Sequence, residues 1–221
     1  MNEIILIWLF STIILTSLVC LIGKKYGVEY LIALYASAIV IANITAVKII
    51  DLYGITVPAS FIIYAVTYLI TDTINEIWGK KVAMKAIWAG FIALVLHVVV
   101  TQISILLEPS AIWAGQAAYA ETLGSTLRLS IASALAFITS QTLDVSIFAK
   151  LKRKTKGKYL WLRNNVSTFV SQALDAVIFI TVAFGGLFPI MPLIIGTIVL
   201  KMVVTAIDTP FLYFIRWYYK K

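Results

Sequence analysis

Ser140-Gln141-Thr142-Leu143-Asp144-Val145-Ser146-Ile147-Phe148 returns 31 residues later as Ser171-Gln172-Ala173-Leu174-Asp175-Ala176-Val177-Ile178-Phe179. In an α-helix, residues three and four apart are neighbours, so Ser, Gln and Asp at i, i+1 and i+4 share one side. Each copy lays a hydroxyl, an amide and a carboxylate along one stripe of an otherwise apolar helix. The most basic run of the chain, Lys150 to Arg163, separates the two copies. Two helices joined in this way run antiparallel, and their stripes are expected to face each other across a binding site.

Composition says what surrounds these helices. The 221 residues are 62% hydrophobic and 13% charged, and the mean hydropathy is +0.99. A soluble domain averages about 25% charged residues, so this is an all-α polytopic membrane protein. Cys20 is the single cysteine and lies in an apolar run, which excludes a disulfide framework, and one histidine excludes a His-rich metal centre. No metal site and no cofactor are expected.

Apolar stretches of roughly 20 residues are the unit of a membrane helix. Seven are legible, near 4–22, 30–47, 57–75, 82–106, 126–149, 165–185 and 190–216. The first has no basic residue before it and Lys24 and Lys25 after it, so it reads as an uncleaved helix rather than a signal peptide. Apart from Lys48, Arg128 and Lys201, every Lys and Arg falls in alternate connections or at the C-terminus. Basic residues favour cytoplasmic loops, which predicts the N-terminus outside and the C-terminus inside. The net charge of +8 is then topological. Its expected partner is anionic lipid headgroups, and nucleic acid is excluded. The connection 107–125, with Trp113 and Tyr119, is expected to lie flat at the interface.

Carboxylates in hydrocarbon cost about 2.5–3.5 kcal/mol on insertion scales and face the interior or water. Asp72, Asp144, Asp175 and Asp208 fall inside spans, with Glu76 near the inner end of the third. Asp72, Asn75, Glu76 and Gly79 share one helical face. In the second span Asn43 and Lys48 are candidates, against packing by Ala42 and Ala46 and snorkelling of the lysine. Lys201 and Asp208, two turns apart, are candidates for ion pairing or proton coupling, as is Lys48; Lys201 is expected to neutralise Asp144 or Asp175. His97 reads as an interhelical hydrogen-bonder.

For the repeated stripes, membrane edges near Lys150 and Asn165 put Asp144 and Ser171 about 9 Å deep and Asp175 and Ser140 about 15 Å deep. Each Asp is thus level with the partner's Ser. A polar zipper is the packing alternative, but a zipper has little use for carboxylates that lack a counter-charge. No phosphate-cradling loop, nucleophile–base pair or metal cluster is present, so no enzyme is expected. A retinal protein is also excluded, because Thr197 stands where such proteins carry an Asp one turn before the lysine.

Asp72-x-x-Asn75-Glu76-x-x-Gly79, Gly124-Ser125-Thr126-x-Arg128, Ser140-Gln141-x-x-Asp144, Trp161-x-Arg163-Asn164 and Ser171-Gln172-x-x-Asp175 resemble the queuosine precursor transporters of the vitamin uptake transporter family, from about residue 31 to 215. The resemblance implies a six-helix transporter core over 29–221, with an inward-facing basic loop at 150–164 and residues 1–28 as one extra N-terminal helix. It implies import, across the cell inner membrane, of 7-deazaguanine bases in their 7-cyano or 7-aminomethyl form. The substrate-binding residues would be Asp72, Asn75, Glu76, Gln141, Asp144, Gln172, Asp175 and Asn43. A guanine-like edge offers N–H donors that carboxylates accept in pairs, and Phe137, Tyr68 or Trp88 could stack on it. The alternatives are a vitamin-binding subunit of an ATP-driven complex and a structural membrane scaffold, and a homo-oligomer is left open.

Overall fold

A computed structural model of the chain describes residues 2–52, 55–124, 127–186 and 189–220. Ser125 and Thr126 of the quoted motif and Lys221 of the basic C-terminus lie outside the described residues. The helices are α1 (Asn2–Tyr26), α2 (Glu29–Ala46), α3 (Phe61–Ile77), α4 (Lys80–Leu106), α5 (Gln116–Leu123), α6 (Leu127–Lys154), α7 (Leu160–Phe184) and α8 (Met191–Lys220), with strands β1 (Ile49–Leu52) and β2 (Ile55–Pro58) between α2 and α3. Six of the helices, α1, α2, α4, α6, α7 and α8, are long and apolar enough to cross a membrane.

The third expected span departs from this pattern. Its first residues pair instead with the preceding segment, Ile49 with Pro58 and Ile50 with Val57 in an antiparallel hairpin. The segment is rich in β-branched residues, which suit a pleated ribbon better than a helix. The helix proper therefore starts at Phe61 and has 17 residues, about 25 Å of rise against a hydrocarbon core of about 30 Å. A short helix is tolerated there because α3 meets protein rather than lipid. Thirteen of its residues, from Phe61 to Asn75, are buried, against α1, α2, α4, α6 and α8.

Around α3 the helices close a ring. The sequential pair α6–α7 packs most extensively, α8 packs against both α7 and α3, and α6 packs against α3. Antiparallel α6 and α7 follow from the short connection between them, in which Lys156, Gly157 and Tyr159 adopt left-handed backbone angles. That ring of α3, α6, α7 and α8 encloses nearly all the buried acids. Outside it, α1, α2 and α4 supply apolar packing. Ile13, Cys20, Tyr35, Ile87 and Leu94 are at most 1% exposed, and α1 is tied to α8 where the Tyr219 hydroxyl donates to the Cys20 carbonyl at 2.7 Å.

Two glycines have steric work. Gly79, with φ of 84°, turns the chain from α3 into α4, and its N–H closes α3 by donating to the Ile74 carbonyl at 3.1 Å. Gly90 lets α2 and α4 touch, since a Cβ there would sit 2.6 Å from the Tyr35 ring.

Other expectations resolve in detail. α5 exposes its length but is pinned beside the end of α4, with Gln116 Nε2 donating to the Ile105 carbonyl at 2.8 Å and Tyr119 bonding Ser104 at 2.8 Å. His97 bonds Thr101 of its own helix at 3.3 Å, and among the described residues it does not bridge helices as expected. The loop expected at 150–164 is shorter, because α6 continues to Lys154 and α7 begins at Leu160. α8 runs through Pro210 without interruption.

Candidate functional site

The two stripes meet as their spacing requires. Ser171 Oγ donates to Asp144 Oδ1 at 3.0 Å, and Ser140 Oγ donates to Asp175 Oδ1 at 3.1 Å. Around these pairs the ring holds polar side chains in four levels.

At one level Asp175 is fully committed. Lys201 of α8 pairs with its Oδ2 at 2.8 Å, and Tyr64 of α3 donates to Oδ1 at 2.8 Å. Lys201 also stands over the Tyr64 ring at 4.5 Å. Burying a charge demands such compensation. Of the two acids expected for Lys201, Asp175 is the one it meets.

The next level carries the amides. Gln141 donates to Thr67 Oγ1 at 3.2 Å and Gln172 to Thr205 Oγ1 at 3.4 Å, while the carbonyl oxygen of each is buried without a partner. Tyr68, whose hydroxyl lies 3.4 Å from Ser140 Oγ, borders the same space. Of the three aromatics considered for stacking it is the one whose polar end meets the Ser140 stripe. Phe137 is stacked on Phe91, and Trp88 is 52% exposed on the outer surface of α4.

The third level is acidic. Asp72 of α3, Asp144 of α6 and Asp208 of α8 are at most 1% exposed. Asp72 and Asp144 lie within hydrogen-bonding reach of each other, and Asn164 lies beside Asp208. Thr168 donates to Asp72 Oδ2 at 3.5 Å. Asp72 Oδ1, Asp144 Oδ2 and Asp208 Oδ1 have no hydrogen-bonding side chain or backbone donor. Among the described residues no Lys, Arg or His lies within ion-pairing distance of these three acids, and no group of three acids, cysteines or histidines could hold a metal ion.

The fourth level is an ion cluster centred on Glu76. Its carboxylate meets Arg163 at 2.7 Å, Arg216 at 3.0 Å and Lys152 at 3.2 Å. The surplus donors go to backbone carbonyls: Lys152 to Asn75 and Glu76 at the end of α3, Arg163 to Lys158, and Arg216 to Gly157. Cations at a helix C-terminus are favoured by its dipole. This level ties α3, α6, α7 and α8 together at one end of the ring.

The expected residues thus separate. Asp72, Gln141, Asp144, Gln172 and Asp208 converge with acceptor oxygens left over. Asp175 and Glu76 are held by cations, and Asn75 spends its amide on the Val145 carbonyl at 3.0 Å. Asn43 is half-buried and donates to Ile39 of its own helix at 3.4 Å, while Lys48 is exposed. Lys152 and Arg163, read from sequence as loop charges for lipid headgroups, turn inward instead, and Arg163 is 0% exposed. Ser167 and Thr168 are not among the expected residues, and Asn164 enters there only through the Trp161-x-Arg163-Asn164 motif. They continue the Ser171–Asp175 stripe at helical spacing, and that spacing is the signal that could have found them.

A ring of long apolar helices around buried Asp, Gln and Ser side chains marks the chain as a multi-pass membrane protein with an internal polar site. Residues 58–215 match the family described as "Putative vitamin uptake transporter", beginning later than the resemblance suggested. The chain is also 37% identical over 210 residues, 93% of its length and 92% of the relative's, to the "Probable queuosine precursor transporter" of Bacillus subtilis (strain 168). No solved structure gives a significant match. The chain belongs to the vitamin uptake transporter family. It is a membrane transporter of a small molecule, not an enzyme, and a multi-pass protein of the cell membrane.

Proposed function

We propose that this protein imports queuosine precursors, the 7-deazaguanine bases in their 7-cyano or 7-aminomethyl form, through the space between the amide and acidic levels. One observation carries the reading. The leftover side-chain atoms of Gln141, Gln172, Asp72, Asp144 and Asp208 are all oxygens that accept. A buried acceptor without a donor costs about 1–3 kcal/mol, so a ligand that fits must be rich in donors. A guanine-like base brings ring and exocyclic N–H groups along one edge, and an aminomethyl group adds an ammonium. The relative's name points to the same chemistry.

In this reading Gln141, Gln172, Asp72 and Asp144 hold the base, Tyr68 lies against its ring, and Asp208 completes the acidic wall. Asp175 with Lys201 and Glu76 with its three cations close the site at its two ends. Asn43, Asn75 and Lys48 have supporting roles only. Residues 1–28 clamp the transport unit 29–221 from outside, with the N-terminus outside the cell and the C-terminus and the Glu76 cluster at the cytoplasmic face, as the basic residues favour.

The test is ligand-induced thermal stabilisation of the purified protein across purines, deazapurines and vitamins, followed by uptake of labelled base into proteoliposomes. The expected result is stabilisation by the deazaguanine bases, lost in Gln141→Leu and Asp144→Asn variants that unfold at an unchanged temperature without ligand. Stabilisation by a vitamin and by no deazaguanine would overturn the reading.

A further inference from the structure

Between α7 and α8 lies a cavity of about 60 Å³, lined by Asn165, Thr168, Phe169 and Gln172 of α7 and by Ile198, Met202 and Thr205 of α8. A water occupies about 30 Å³ in the liquid and needs two to four polar partners. The notch therefore has room for water. Gln172, one of the lining residues, is only 3% exposed, and its carbonyl oxygen is enclosed in protein without a hydrogen-bonding partner. Thr168, on the same lining, bonds Asp72, and Asp72 lies within hydrogen-bonding reach of Asp144. Thr168 thus connects the notch to the carboxyl pair.

Two carboxylates within hydrogen-bonding reach cannot both be ionised without a counter-charge in a low-dielectric site. The surrounding groups supply none. On α3 the neighbours are Tyr68 and Glu76, on α6 Lys152, on α7 Arg163 and Asp175, on α8 Lys201, Asp208 and Arg216, and on α2 Tyr35. Each of these cations is engaged by Asp175 or Glu76. α1 brings Cys20 toward Thr73. α4 brings His97, bonded to Thr101, and the exposed Lys80, Lys81 and Lys85.

We propose that Asp72 and Asp144 are a proton-carrying pair, open to water through the α7–α8 notch, and that a cationic base displaces their proton on loading. This rests on the transport reading above. The balance is simple. The aminomethyl ammonium brings one positive charge to the pair, and the shared proton leaves to notch water as hydronium, so the buried charge stays constant. The neutral cyano base brings no charge, and the proton stays.

The experiment follows proton release by a pH indicator in weakly buffered detergent solution as each base is added to the full-length protein. One proton released per bound aminomethyl base, and none per bound cyano base, is expected; Asp144→Asn should abolish the release. Stabilisation by the aminomethyl base without any proton release would overturn the proposal. A second arm needs no ligand. The infrared spectrum of the ligand-free protein at neutral pH should contain a protonated-carboxyl stretch that keeps its intensity in Asp208→Asn and loses intensity in the Asp72→Asn/Asp144→Asn double variant. Its absence from the unsubstituted protein would overturn the proton pair whatever the ligand proves to be. A band that weakens in the double variant while no deazaguanine binds would uphold the pair and sink the transport reading alone.

Discussion

The hydroxyl of Ser171 donates to Asp144 at 3.0 Å, reaching from α7 to the stripe on α6. Its counterpart in the repeat, Ser140 to Asp175 at 3.1 Å, runs the other way. The two bonds are equivalent in sequence but not in setting. Asp175 keeps Lys201 and Tyr64 when its serine is removed, whereas Asp144 has no cation and faces another acid.

That asymmetry predicts unequal costs. Ser171→Ala leaves a buried carboxyl short of a donor and should destabilise by about 1–3 kcal/mol, while Ser140→Ala should cost about 1 kcal/mol or less. Thermal unfolding of the two variants in the same detergent checks this. Equal losses would mean that the stripes serve as a symmetric zipper, and the distinction drawn between the two acids would be wrong.

The Glu76 cluster predicts a hierarchy among its members. Arg163 is fully buried, while the side chain of Lys152 is 30% exposed. Glu76→Gln strands a buried guanidinium and should destabilise by about 3–5 kcal/mol, the usual cost of breaking a buried pair from one side. Lys152→Ala should cost about 1 kcal/mol or less, because a partly exposed cation returns to water and two others remain on the carboxylate. Urea or thermal unfolding would rank them, and a Lys152 loss as large as that of Glu76 would contradict the ordering.

Much of this was legible in the residues, and the places where it was not have physical causes. The i, i+1, i+4 spacing of Ser, Gln and Asp is a property of the helix itself, so the repeat carried both the pairing and its register. Hydropathy likewise marked the long helices, because lipid tests every residue on their outer faces. α3 escaped that test. It is shielded by its neighbours, so its length was free to shrink, and the hairpin claimed residues that hydropathy alone assigned to it. Charge location misled for a related reason. Lys152 and Arg163 follow the basic-loop pattern whether they face headgroups or fold back onto Glu76, and only the partner decides. The mutual approach of Asp72 and Asp144 joins residues far apart in the chain, and no local pattern encodes it.

The contact between α2 and α4 offers a test of the packing that holds the ring in place. Tyr35 is 0% exposed, and its ring lies where the Cβ of any residue at position 90 would come within 2.6 Å. A ring wedged between helices cannot swing aside as a flexible chain end does, so α2 and α4 must part. Overpacking a close-packed interior costs about 1–3 kcal/mol, and Gly90→Val should show a loss of that size in thermal unfolding. Tyr35→Leu in the same background removes the opposing ring and should recover part of the loss, a coupling that a double-mutant cycle measures. If the two substitutions instead add without coupling, Gly90 is placed by helix backbone requirements and not by Tyr35.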